Sequence, residues 1–173
     1  MDAFEAISTK LDVREFSSRK VPGDVKRKVI EAARLTASSR NSQHWRFVLV
    51  QDRANLKRLA GDSTSGKWVE GADFAVIILT DPKVTGNMID AGRALQDMEL
   101  AAWNFGVASG IYVGVVEAAL RKDYAIPEGM TVAAILGFGY PKKKIIGKKD
   151  RKPMDEIAFP ERYGEKLKPS TFS

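Results

Sequence analysis

Residues 38–45 read Ser-Ser-Arg-Asn-Ser-Gln-His-Trp, so eight consecutive positions hold three serines, an arginine, two side-chain amides, the only histidine of the chain and a tryptophan. Two other stretches carry related chemistry. Lys10 and Arg14 lie in KLDVREF, residues 10–16, and Lys149 and Arg151 lie in KKDRKP, residues 148–153. Arginine grips phosphate oxygens in pairs, lysine acts as a point charge, and serine adds a neutral donor. Asparagine and glutamine each set one acceptor beside a paired donor. Such a mixture suits a phosphate together with a flat heterocycle whose edge alternates carbonyls and N–H groups, as the pyrimidine edge of a flavin does. Each stretch alone also has a plainer reading: a polar turn at 38–45, a surface ion pair at Arg14, a solvated tail at 148–153.

Several other chemistries are closed. The chain has no cysteine, which excludes disulfides, cysteine-ligated zinc, iron–sulfur clusters and thiol catalysis. With His44 as its one histidine, a multi-histidine metal site is impossible, and no metal is expected. GDSTSGKW, residues 61–68, has the Gly-x4-Gly-Lys spacing of a phosphate loop. Trp68, however, stands where Ser or Thr would hold magnesium, and helix-like LKRLA precedes Gly61. GFGYPK, residues 137–142, supplies two glycines of a dinucleotide fingerprint, but Pro141 opposes a helix start there, and the segment reads as the end of a strand.

The elements that must position these residues follow from periodicity. MDAFEAISTKL places Phe4, Ile7 and Leu11 on one face of a first helix, with Asp2 as its cap. PGDVKRKVIEAARLTAS gives a second, with Val25, Val29, Ile30 and Ala33 as its stripe. RFVLVQD after the polar connector predicts a strand, and DRANLKRLA a short helix. FAVIILTD is continuously apolar, as expected of a central strand buried on both faces. NMIDAGRALQDMELAAWNF predicts the longest helix, apolar on several faces. Met88, Ala91, Leu95, Met98, Ala102 and Phe105 line one side of it, and Leu100, Ala101 and Trp103 extend that side. SGIYVGVV and TVAAILGFGY are two further strands, with a short helix and a Pro-Gly turn between them. Helices and strands intermix around one sheet of four or five strands, within a single domain spanning residues 1–173.

Of the net charge of +6, all lies in residues 142–152, where seven Lys/Arg face one Asp; the remainder holds 21 basic and 21 acidic residues. A nucleic-acid surface would spread its charge along a face. A focused cluster suits a small anion or a solvated tail, so no nucleic-acid partner is expected. No apolar run approaches the roughly 20 residues of a membrane span. No basic-then-apolar leader opens the sequence. A cytoplasmic location without membrane contact is the expectation.

In order along nearly the whole chain, these pieces resemble the FMN-dependent nitroreductase family. AISTKLDVREF is similar to its opening helix and phosphate segment, SSRNSQHW to its Ser-x-x-Asn-x-Gln-Pro-Trp loop, and DAGRALQDMELAAWNFGVASGIYVG to its interface helix and the strand beside the flavin. ILGFGYPK and KKDRKPMDEI resemble its closing strand and basic tail. The resemblance implies an α+β fold: a three-layer α/β/α sandwich with a mainly antiparallel sheet, as an intertwined homodimer. It implies an FMN-dependent oxidoreductase that passes two electrons from NAD(P)H through flavin to a small electrophile such as a nitroaromatic or quinone, by a ping-pong scheme. Lys10, Lys149 and Arg151 would reach the FMN phosphate, with Leu11 and Asp12 in the same segment. Arg14 would lie at the pyrimidine edge. Ser38, Ser39, Asn41 and Gln43 would come from the partner subunit. Val113 and Gly114 would line the flavin through their backbone. No side chain is assigned a catalytic role.

The sequence departs from the family pattern in three places. Asp12 stands where the family commonly has Ser, Leu11 replaces a frequent Arg or His, and His44 replaces the Pro before Trp45. The first two bear on phosphate affinity and the third on loop stiffness, since proline fixes φ. Lys67 falls where the family can place another contact, and it carries no assignment. Two other classes remain: a flavin-binding relative with different chemistry, such as dehalogenation or flavin fragmentation, and a non-catalytic anion or nucleic-acid binding module.

Overall fold

The computed structural model describes residues 1–172. Four strands form one antiparallel sheet: β1 (Arg46–Val50), β2 (Phe74–Thr80), β3 (Ala108–Tyr112) and β4 (Thr131–Gly139), in the order β1-β2-β4-β3. The sheet therefore has β1 at one edge and β3 at the other. All seven residues of β2 are buried, which is why that segment needs no polar face. Because side chains alternate across a strand, Phe74, Val76 and Ile78 enter one core layer while Ala75, Ile77 and Leu79 enter the other.

Helices cover both faces. Helices α2 (Gly23–Leu35) and α4 (Asn87–Asn104) pack on the first, where Val25, Val29 and Ala33 meet Ala91, Ala94, Met98 and Ala102 above β2 and β4. The second is covered by α3 (Arg53–Gly61), the short turn Lys67–Gly71 and α5 (Glu117–Asp123), through Leu56, Leu59, Val69 and Leu120. The result is the expected three-layer α/β/α arrangement, with four strands rather than five. Beyond β4 the chain is irregular apart from α6 (Met154–Ile157) and a short turn at Pro169–Phe172. Among the described residues no helix is long and apolar enough to cross a membrane.

Helix α1 (Ala3–Thr9) is capped by Asp2, whose carboxylate accepts from the Glu5 N–H at 2.8 Å. Its predicted stripe differs from the structure: Phe4 and Ile7 are exposed and only Ala6 is buried, so within one chain the helix leaves its apolar face uncovered. On α4, Met88 is likewise exposed, and the buried residues include two acids, Asp90 and Glu99.

The seat of Trp68 depends on two glycines. A Cβ at Gly137 would stand 2.7 Å from the indole, and one at Gly110 would stand 2.6 Å from the Val13 carbonyl and 2.9 Å from the indole. Glycine in β3 and β4 thus lets the tryptophan and the 12–13 backbone lie directly against the sheet.

Ile77 is fully buried at the centre of β2. Ile77→Ala is expected to cost about 2–5 kcal/mol of unfolding free energy, the range for truncating such a side chain, with no change in the slope of urea denaturation followed by circular dichroism.

Candidate functional site

The first group of candidate residues is built along the free edge of β3. The chain leaves α1 and runs beside the strand: Val13 N–H donates to the Ser109 carbonyl at 2.8 Å, and Asp12 forms a parallel bridge with Ser109. This fixes Lys10 against α4. Its ammonium is buried, donates to Glu99 Oε1 at 2.7 Å and also pairs with Asp12. Glu99 Oε1 accepts a second bond, from Ser109 Oγ at 2.8 Å. Leu11 is half-buried beneath the tail, near Gly147.

Arg14 differs from Lys10. It is exposed, and its guanidinium lies 5.8 Å from the Trp68 ring centroid. Among the described residues it makes neither a hydrogen bond nor an ion pair. Val113 and Gly114 follow β3 directly; Val113 is exposed, and the Gly114 carbonyl accepts from Thr64 N–H at 2.9 Å and Ser63 Oγ at 3.2 Å. A Cβ at Gly114 would stand 2.5 Å from both Thr64 Oγ1 and Ser65 Oγ. The 63–65 loop therefore packs directly on the Gly114 backbone at the end of the strand, where any side chain at 114 would displace it. Lys67 is exposed and next in the chain to Trp68.

The tail reaches the same edge. Lys149 Nζ donates to the Ile7 carbonyl at the C-terminal end of α1. Arg151 is exposed and its guanidinium donates to the neighbouring Asp150 carbonyl at 2.6 Å.

The polar connector is built differently. Ser39–Asn41 forms a single tight turn, and Arg40, Asn41 and Gln43 all have positive φ, at 52°, 54° and 47°. Left-handed backbone is unfavourable for arginine and glutamine, though tolerated by asparagine, so the loop needs anchors. Ser38 Oγ accepts from Gln43 N–H at 3.0 Å, and the Ser39 N–H donates to Asp90 Oδ2 at 2.8 Å. His44 is buried, with Nε2 3.2 Å from Asp90 Oδ2 and Nδ1 2.8 Å from Thr80 Oγ1. Trp45 is buried beside it, its ring edge-on to the imidazole. Asn41 and Gln43 remain exposed, and the Asn41 side chain has no partner among the described residues.

One chain does not bring these groups together. The connector leads into β1, whereas the 10–14 segment and residues 113–114 flank β3 at the opposite edge. Three strand spacings separate the edges, about 14 Å. A cleft of about 690 Å³ does lie between α2 and β1, but of the candidate residues only Gln43 lines it.

Asp90 and Glu99 escape a reading of the long helix as an apolar surface. Their signal is positional: they flank the Ala91, Ala94, Met98 and Ala102 stripe, one on each of its two borders. Burial works against ionisation of Asp90, but the Ser39 N–H, His44 and Arg93 outweigh it, and the carboxyl is held below the ordinary aspartate range.

Known proteins share this arrangement. Residues 2–168 match the family described as "Putative TM nitroreductase". A "Putative NADH dehydrogenase/NAD(P)H nitroreductase" of Archaeoglobus fulgidus is 30% identical over 151 residues, covering 82% of this chain and 86% of that one. A protein of the same description from Methanothermobacter thermautotrophicus is also 30% identical, covering 82% and 78%. Among solved structures, an FMN-dependent nitroreductase of Clostridium difficile superposes with a TM-score of 0.85 at 20% identity, covering 92% of this chain and 99% of that chain.

The Asp90 geometry generates a pH-dependent expectation. Its lowered carboxyl stabilises the fold fully above the unfolded value near 3.8, and that contribution is lost as pH falls through the lower folded value. Asp90→Asn should destabilise by about 1.5–3 kcal/mol at neutral pH, the contribution of a hydrogen bond to a charged group. The gap between variant and wild type in thermal melts should shrink below about pH 4, and hydrogen exchange at Ser39 and Gln43 should accelerate.

Proposed function

The chain belongs to the nitroreductase family, and from that premise we propose that it is a flavin-dependent oxidoreductase using FMN. It takes electrons from NADH or NADPH and delivers them to a small electrophilic acceptor such as a nitroaromatic or a quinone. The observation that carries this reading is Arg14, a guanidinium without a partner among the described residues, seated over Trp68 at the β3 edge that continues into Val113 and Gly114. That combination fits the ring of a flavin: a cation for its pyrimidine edge beside a flat aromatic support.

When bound, the flavin supplies the redox chemistry, accepting a hydride and passing two electrons on. The protein's part is placement and electrostatics. Arg14 would favour negative charge on the pyrimidine edge by Coulomb attraction. Val113 and Gly114, directly after β3, would line the ring through their backbone. Asn41 and Gln43 offer the paired amide donors and acceptors that a ring edge needs. No residue is required to abstract a proton.

Because those amides stand at the opposite sheet edge from Arg14, a complete site needs a second copy of the chain. Two-fold pairing would set the 38–45 loop of each subunit against the β3 edge of the other and generate two equivalent sites. The uncovered apolar side chains support the same arrangement: Phe4 and Ile7 on α1 and Met88 and Ile89 on α4 are exposed in one chain.

The purified protein is expected to be yellow and to bleach on addition of NADH or NADPH under anaerobic conditions; a colourless product that takes up no flavin would end this reading. Light scattering should report a dimer that persists at micromolar concentration. Arg14→Ala should weaken flavin binding about ten- to a hundredfold, the loss of ~1.5–3 kcal/mol from a charged hydrogen bond, and lower the flavin's reduction potential. An unchanged potential and affinity would remove Arg14 from the site.

A further inference from the structure

The two ends of the β3 edge are electrostatically unlike. Arg14 is uncommitted, whereas Lys10 is already spent. Its ammonium has three donors, and Glu99 and Asp12 take two of them. Around Lys10 one cation therefore meets two carboxylates, one of them buried and held in place by Ser109. The nearest main-chain donors are committed as well: Lys10 N–H to the Ala6 carbonyl and Val13 N–H to the Ser109 carbonyl. This segment also sits at the carbonyl end of α1, where the helix field repels anions, and Lys149 is spent on the Ile7 carbonyl at that end.

We propose that Asp12, clamped with Glu99 on Lys10, makes this cleft nearly indifferent to a terminal phosphate, so that it takes riboflavin about as well as FMN. The inference rests on the flavin reading above and narrows it to the ring and ribityl chain as the recognised parts. A phosphate approaching Lys10 must either displace the Asp12 carboxylate or lie beside it, and both erase the gain from the ammonium. Arg151 remains as an exposed cation, next to the acidic Asp150, where solvent screens it. Asp12 is thus a specificity-determining residue. Its side chain is about half exposed, so its charge can be removed without opening the core.

The test is titration of the flavin-stripped full-length protein with FMN and, separately, with riboflavin, followed by quenching of flavin fluorescence. The wild type should give dissociation constants within about threefold of each other, with little dependence on salt. Asp12→Asn should tighten FMN at least tenfold and leave riboflavin unchanged, with the thermal melt confirming a folded protein. A wild type that prefers FMN by more than tenfold, or an Asp12→Asn variant that shifts both ligands equally, would overturn the inference while leaving the flavin reading intact. Failure of both ligands to bind would remove the flavin reading and this inference together.

Discussion

Helix α4 buries two carboxylates, and each candidate segment is tied to one of them. Asp90, in its first turn, accepts the Ser39 N–H and pairs with His44; Glu99, in its second half, accepts from Lys10 and Ser109. Their separation along the helix is roughly 13 Å. An ionised carboxylate in a core is tolerated only with partners close at hand. The connector 38–45 and the segment 10–14 are therefore not free loops that drift over a scaffold. Each supplies the groups without which α4 could not lie on the sheet, so the placement of the site and the burial of the longest helix are one event.

The sheet then decides what a single chain can assemble. Its order puts β1 and β3 at opposite edges, and each edge carries one cluster. Trp68 bridges this layout to the chemistry, because it lies on Gly110 and Gly137 on one side and near Arg14 on the other. A cation held over an indole keeps its guanidinium plane oriented, while its donors stay available to a ligand. That availability contrasts with Lys10, and the contrast explains why one arginine carries more of the functional reading than the larger basic cluster of the tail.

Much of this was legible from residue order. The unbroken apolar run of β2, the stripe of α2 and the Asp2 cap each follow from a local rule that nothing distant in the chain opposes. What failed to be legible depended on partners far away in sequence. The acids of α4 are hidden from such rules because charged residues on a long helix are ordinarily solvated; only their places at the two borders of the apolar stripe mark them. Phe4 and Ile7 obeyed the helical spacing yet remain uncovered, because periodicity says which residues share a face and not whether the chain covers that face. Lys149 found a carbonyl in α1, a contact no local pattern encodes. The connector's backbone was hidden too: its three left-handed residues are arginine, asparagine and glutamine, not glycine.

That last feature shows what His44 does. A tryptophan-containing loop with proline before the ring has its path fixed by covalent geometry. Here the same position holds a histidine, and the loop must be fixed by bonds. Left-handed backbone at Arg40 and Gln43 costs about 1–2 kcal/mol each, a sum that a solvated turn would relieve by unwinding. The buried imidazole prevents this by bonding Asp90 with one nitrogen and Thr80 with the other, while Asp90 also takes the Ser39 N–H. Unwinding the loop would strip a buried carboxylate of two partners at once, a penalty that offsets the strain released. The connector therefore keeps its shape only while the first turn of α4 and the end of β2 are in place, and its exposed amides are held ready by a network that no ligand contact is needed to complete.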